Sequence, residues 1–202
     1  MACNLSSAEP SVRAAVGEYA TTAFTRAAQA VVDRFANEAA RARGDGGARL
    51  LLQLAYNAIH PVVSVPAWLD GDAEFAALNA SLAASGASRA RRELAGALLL
   101  VDRGVGDVKG SLEAHGMWND TLLVVISDNG AEVKSGGSNW PLRGEKATLW
   151  EGGHRVPAFV YSPSLPARAR GATYAGLFYV TDWAPTILGG VCLLYTSPSP
   201  RD

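Results

Sequence analysis

Asp128 and Asn129 set a carboxylate beside an amide carbonyl at neighbouring positions. Both are hard oxygen donors, the kind taken by Ca²⁺ or Mg²⁺. Lys146, in Arg143-Gly144-Glu145-Lys146, can present a compact positive charge to an anion. A metal ion and a fixed cation together suit an anionic ligand. The rival reading of Asp-Asn-Gly is a plain turn, since Asn-Gly is a strong short hairpin signal. The local pattern leaves the two readings level.

The surrounding elements bear on where these residues lie. A continuous apolar run, Leu122 to Ile126, stops at Ser127-Asp128-Asn129-Gly130, and a second, Val156 to Tyr161, ends at Ser162-Pro163. Neither run alternates apolar with polar, so each reads as a strand covered on both faces, as in a parallel α/β sheet. Ligands of such sheets gather beyond the carboxyl ends of the strands, where Asp128 and Asn129 are expected.

The whole string extends further. Ser127-Asp128-Asn129-Gly130 is followed by Asn139-Trp140-Pro141-Leu142-Arg143-Gly144-x-Lys146, then by Leu149-Trp150-Glu151-Gly152-Gly153-x-Arg155. In this order it closely resembles the sulfatase family, its arylsulfatase B-like members in particular. The resemblance implies a three-layer α/β fold of the alkaline-phosphatase type, a sheet sandwiched by helices and truncated here at both ends. It implies sulfuric ester hydrolysis on an aryl or glycan sulfate, with Ca²⁺ held in part by Asp128 and Asn129. It also implies that His60 and Lys146 are catalytic and hold the substrate sulfate. On residue type alone, His60 in Asn57-Ala58-Ile59-His60-Pro61 reads as a satisfied polar residue at a strand end. The family carries a histidine closely followed by proline there, usually with one residue between the two; here they are adjacent. Such an imidazole can donate to the ester oxygen or protonate the leaving group. Glu151 and Arg155 are expected to pin the glycine-rich loop, and Asp182 to be structural.

The family draws its nucleophile from a Cys-x-Pro-x-Arg motif, or Ser in place of Cys, oxidised to formylglycine. Cys3 and Cys192 do not fit, and Ser197 to Arg201 has serine at the third place. The resemblance covers residues 15–190, with 1–14 irregular and 191–202 a non-native tail. Further aspartates, a lysine and a histidine are expected upstream, and a smaller domain downstream. The chain is expected to contain no nucleophile and to be inactive alone. The family implies a lysosomal or secreted protein, although the first residues lack a signal peptide's charged region and apolar core. The sequons at Asn119, Asn79 and Asn4 support that route weakly.

Composition agrees with a globular domain: 49% hydrophobic, 18% charged, and a net charge of −1. That balance gives no reason to expect nucleic acid. Two cysteines make neither a disulfide framework nor a metal cluster, and no apolar run is long enough to span a membrane. Residues 16–43 predict an amphipathic helix with Val16, Tyr19, Ala20, Ala23, Phe24, Ala27, Val31 and Phe35 on its apolar face, broken at Gly44-Asp45-Gly46-Gly47. Arg49 to Tyr56 reads as a buried strand, 61–86 as loop, and Ser88 to Leu112 as a helix facing the core with Leu94, Leu98, Val101, Val105 and Val108, capped at Gly116. His115 is expected on the surface. Leu177 to Val180 suggests a short strand, followed by a helix capped by Thr181 or Asp182 and stopping at Gly189-Gly190.

Two other functions compete. A phosphate-ester hydrolase on the same scaffold would need a two-metal site with several Asp/His ligands. A non-catalytic module binding sulfated glycans would keep anion affinity without turnover.

Overall fold

A computed structural model describes residues 17–41 and 48–192. The chain divides into two compact units, Met1–Ser164 and Leu165–Asp202. The expectations for residues 1–16, including Cys3 and Asn4, for Arg43 to Gly47, and for 193–202 lie outside the described residues. Among those residues no helix is long and apolar enough to cross a membrane.

The first unit is built on three helices. Helix α1, Ala20–Arg41, and helix α3, Arg89–Ala114, pack together, and α2, Ala73–Ala84, lies against α3. The buried face of α1 is Thr21, Thr25, Ala28 and Val32, at steps of four and three, with Ala23 beside it. The expected face lies about one residue away, and Phe24 is exposed. Helix α3 behaves alike: Gly96, Ala97, Leu100 and Gly104 are buried while Leu98 is exposed. Close approach explains both corrections. A side chain at Gly104 would collide with the hydroxyls of Thr25 and Tyr56, which bond each other at 2.8 Å. The small-residue faces therefore meet. Leu69, Phe75 and Leu100 form the apolar centre, with Tyr19, Val65 and Leu99 packed on it.

The region 61–86, read as loop, instead holds a 3₁₀ turn, Ala67–Gly71, and α2. The Asp72 carboxylate accepts the Phe75 amide at 2.9 Å and so caps α2. This was readable: Asp72 stands before a run free of proline and glycine up to Ser85. The cap also ties α2 to α3. Arg103 donates to both Asp72 carboxylate oxygens, each at 2.8 Å, and to Glu74 through Nε at 3.2 Å. Arg103, and then the Phe75 amide, hold the Asp72 carboxyl down to about 2. The depressed value means that this stability is fully present above about 3.8 and is lost as pH falls through about 2. Helicity followed by circular dichroism should drop in that window. Asp72→Asn keeps a cap acceptor but removes the charge, so its acid loss across that interval should be smaller; an unchanged acid profile would rule Asp72 out.

Gly116, in the left-handed region at φ 69°, ends α3 as expected. His115 Nε2 lies 2.8 Å from Asp33 of α1, a surface contact between the two helices. Strands β1, Leu123–Ile126, and β2, Ala158–Tyr161, pair antiparallel with Leu123 opposite Tyr161 and Ile126 opposite Ala158. The expected parallel, doubly covered strands are corrected: β2 is exposed along its length, and the two strands form a two-stranded sheet among the described residues. The chain returns from β1 through the loop 127–157 without a crossover helix of the length a parallel neighbour needs. Trp118 stacks on Tyr161, ring centres 5.3 Å apart, and the Lys109 ammonium lies 5.1 Å from the Trp118 ring. Arg49 to Tyr56, expected as a buried strand, forms no strand and alternates exposed and half-buried residues.

In the second unit Leu177 to Tyr179 is not a strand, and a 3₁₀ turn, Val180–Asp182, leads into helix α5, Trp183–Cys192. The Asp182 carboxylate accepts the Tyr179 amide at 2.7 Å, a structural role. Helix α5 continues through Gly189-Gly190, where a stop was expected.

Candidate functional site

The loop between β1 and β2 is held by backbone crossings that only glycine permits. The Gly130 amide donates to Gly153 O at 2.9 Å, and the Gly152 amide to Arg143 O at 2.7 Å. A Cβ on Gly130 would strike the Gly152 carbonyl, and one on Gly152 the carbonyls of Gly144 and Arg143. These contacts seat a short helix α4, Glu151–His154, directly behind the end of β1.

Asn139 ties Ala131 to Gly144 across the loop. Its Oδ1 accepts the Ala131 amide at 2.7 Å, while Nδ2 donates to Ala131 O at 2.8 Å and to Gly144 O at 3.2 Å. The Lys146 amide also donates to Ala131 O, at 3.2 Å. Glu145 accepts the Val133 amide at 2.7 Å, and the Arg143 guanidinium lies 3.7 Å from the Trp150 ring. Glu151 and Arg155, expected to pin this loop, instead pair with each other at 3.0 Å on α4 and are exposed. The reason is their spacing: four residues apart, they meet on one helix face. Asn139 and Glu145 do the pinning. The sequence shows Asn139 within its string, but nothing local reveals that both ends of its amide are used.

Asp128 is exposed and Asn129 half-buried just beyond β1. Neither side chain makes a hydrogen bond or ion pair among the described residues. Two uncommitted oxygen donors on a braced strand end fit a Ca²⁺ ion, which takes six to eight oxygens. The described residues contain no group of three or more His, Cys, Asp or Glu able to hold a metal.

Lys146 Nζ lies 2.9 Å from His60 Nε2, across 86 residues of sequence. His60 Nδ1 lies 2.6 Å from Pro61 O. A carbonyl only accepts, so Nδ1 carries the proton and Nε2 accepts from the ammonium. The imidazole is thereby fixed in one tautomer and the ammonium keeps two donors free. A ¹⁵N spectrum of the neutral imidazole should show Nδ1 protonated and Nε2 bare; the opposite tautomer would break this arrangement. The structure thus brings His60 and Lys146 into contact, with Lys146 anchored to the loop that begins at Asp128-Asn129. Of the sequons, Asn119 is exposed in the 3₁₀ turn Trp118–Asp120, and Asn79 is half-buried on α2.

One further match went unread in the sequence. Ser164-Leu165-Pro166-Ala167-Arg168 has the Ser-x-Pro-x-Arg spacing. The antiparallel register removes it from this site, because Tyr161 pairs with Leu123, the strand end away from Asp128. Ser164, three residues beyond Tyr161, bonds Ser162 at 2.8 Å.

Comparison with known proteins decides what this geometry belongs to. Residues 9–191 match the Sulfatase family. The chain belongs to the sulfatase family. It is 32% identical over 173 residues to arylsulfatase J of Mus musculus, covering 85% of this chain and 25% of that protein. It is 42% identical over 73 residues to steryl-sulfatase of Rattus norvegicus, covering 32% and 13%. Among solved structures it resembles Ps i-CgsB, at a TM-score of 0.59 and 32% identity, covering 73% of this chain and 29% of that one. A complex of Ps i-CgsB with k-i-k-neocarrahexaose matches at a TM-score of 0.58 and 31% identity. The fold is accordingly the alkaline-phosphatase-like α/β fold of sulfatases. The chain spans about a quarter of the length of the first relative.

Proposed function

We propose that this chain forms part of the active centre of a sulfuric ester hydrolase of the arylsulfatase B-like type. His60 and Lys146 hold the sulfate of an aryl or glycan ester, while Asp128 and Asn129 hold one Ca²⁺. The observation that carries this is the 2.9 Å contact between Lys146 Nζ and His60 Nε2, joining two distant segments of the chain. One Lys146 donor engages His60, leaving two for sulfate oxygens, whose charge grows as the ester bond breaks. His60, held by Pro61 O, orients the ammonium and stands where the ester oxygen departs. Bound Ca²⁺ supplies charge stabilisation to the sulfate. The two ligands named here are two of at least six, so the chain alone is expected to bind sulfate and calcium weakly and not to turn over.

The test is nuclear magnetic resonance on the ¹⁵N-labelled chain. Calcium should shift the Asp128 and Asn129 amides, and inorganic sulfate the Lys146 and His60 signals. Asp128→Ala should abolish the calcium shifts and leave those from sulfate. Calcium shifts confined to other residues would sink the metal assignment. In the complete protein Asn139→Ala should cost about 2 kcal/mol of stability from the stranded Ala131 amide and Gly144 carbonyl, and weaken calcium binding by about 10-fold; calorimetry reads both.

A further inference from the structure

Helix α3 touches both halves of the contact between His60 and Lys146, at different points along its length. The Lys146 half rests on the first turn. Gly136, at φ 92°, caps the 3₁₀ turn Val133–Ser135, and a Cβ on it would lie 2.6 Å from the backbone of Ala90 and Arg91. Glycine permits that approach where a side chain would not. Arg91 Nη1 closes the same junction by donating to Gly136 O at 2.9 Å. The Ser88 hydroxyl accepts the Arg91 amide at 3.2 Å and so caps the turn that carries this guanidinium. From there the path to Lys146 is short. Glu145 Oε2 accepts the Val133 amide at 2.7 Å, at the other end of the same 3₁₀ turn, and Lys146 is the next residue.

The His60 half rests further along the helix. Tyr56 and Val65 flank the segment that carries His60. The Tyr56 hydroxyl lies over Gly104, where a Cβ would stand 2.6 Å from it, and Val65 Cγ1 lies over Gly96, where a Cβ would stand 3.0 Å away. Between Arg91 and Gly96 runs about 8 Å of one helix, and that length sets how far apart the two segments are held. We infer that Arg91 is a positioning residue: it seats the Lys146 loop on α3 so that the ammonium meets the imidazole, and this rests on reading His60 and Lys146 as the sulfate site.

The neighbouring arginines supply the contrast. Arg89 donates to Glu93 at 2.8 Å and Arg92 to Ala87 O at 2.8 Å, bonds that stay within α3 and its lead-in. Those two can stabilise the helix, but they do not place the loop. Arg91 is exposed, so truncating it leaves neither a buried charge nor a cavity, and the buried residues Ala97 and Leu100 are untouched. What is lost is the anchor on the Gly136 carbonyl, and Glu145 and Lys146 move with the turn it held. At a positioned group, a displacement of about 1 Å can cost up to about 10²-fold in rate.

The experiment reads the neutral His60 imidazole by ¹⁵N resonance in the full chain, where an Nε2 that accepts a hydrogen bond resonates upfield of a free one. Arg91→Ala should move Nε2 downfield, toward its position in Lys146→Ala, and weaken the binding of inorganic sulfate by about fivefold. Arg91→Lys keeps a donor and should recover most of both effects. Arg92→Ala should change neither. An Nε2 signal that stays in place in Arg91→Ala overturns the inference, and so does an equal shift in Arg92→Ala, which would reduce Arg91 to a stabiliser of the helix. Failure of the underlying reading looks different: inorganic sulfate would then move neither Lys146 nor His60 in the unaltered chain, and a role for Arg91 at a sulfate site would fall with it, whatever the Nε2 signals do.

Discussion

Lys146→Ala in the complete sulfatase should lower kcat/KM by about 10²–10³, the usual cost of removing one donor aimed at developing charge. In the isolated chain it should abolish the sulfate-induced shift at His60. The expectation follows from the geometry of one ammonium. Its amide is anchored to Ala131 O at 3.2 Å, and its head is held by His60 Nε2 at 2.9 Å, so two donors project from a fixed point. The next residue, Ala147, adopts φ 68°, a left-handed conformation uncommon outside glycine; the chain holds it as Lys146 is carried toward His60. Lys146→Arg should recover little, because a planar guanidinium offers its donors in another geometry and cannot occupy the same point. His60→Gln should cost less in sulfate affinity than in kcat, since glutamine still accepts from the ammonium but cannot pass a proton. Unchanged turnover in Lys146→Ala would remove the residue from the mechanism.

Gly152→Ala should dismantle the site without dismantling the helices. Its new methyl would run into the carbonyls of Gly144 and Arg143, and the 2.7 Å bond from the Gly152 amide to Arg143 O allows no retreat. Backbone atoms cannot rotate aside as a side chain can, so the cost is about 3 kcal/mol. It falls on the loop 127–157. The helices α1, α2 and α3 pack with one another through Thr25, Phe75, Leu100 and the Arg103 pairs. Helical circular dichroism should persist while both the calcium shifts at Asp128 and the sulfate shifts at Lys146 disappear. Retention of both binding events with alanine at 152 would show that the loop has another packing available.

Asp128, Asn129 and Lys146 stand in a long string whose order is itself informative, and family membership agrees with that string. The helices α1 and α3 were legible from apolar spacing, and α3 also from Gly116 at its end. Their buried faces were not, because spacing measures hydrophobicity while packing here is decided by closest approach. Gly104 admits two hydroxyls where a larger residue would hold the helices apart, so Phe24 and Leu98 point away. Helix α2 was overlooked for a related reason: its alanines show no apolar stripe, and the capping aspartate was the only strong signal.

The strands divide the question most clearly. Two unbroken apolar runs determined that strands flank the loop, and they placed Asp128 and Asn129 at a strand end. They could not determine direction, since a parallel and an antiparallel pair read identically in one dimension. Register decided it, and with it that Ser164 stands at the other end of the sheet despite its matching motif. Likewise the sequence by itself named the residues that carry neighbouring oxygen donors and a compact cation, Asp128, Asn129 and Lys146. Only the tertiary structure decided that His60 reaches Lys146 across 86 residues, because a contact of that span depends on how the helices bring the Asn57–Ser64 segment to the loop, and no local pattern encodes it.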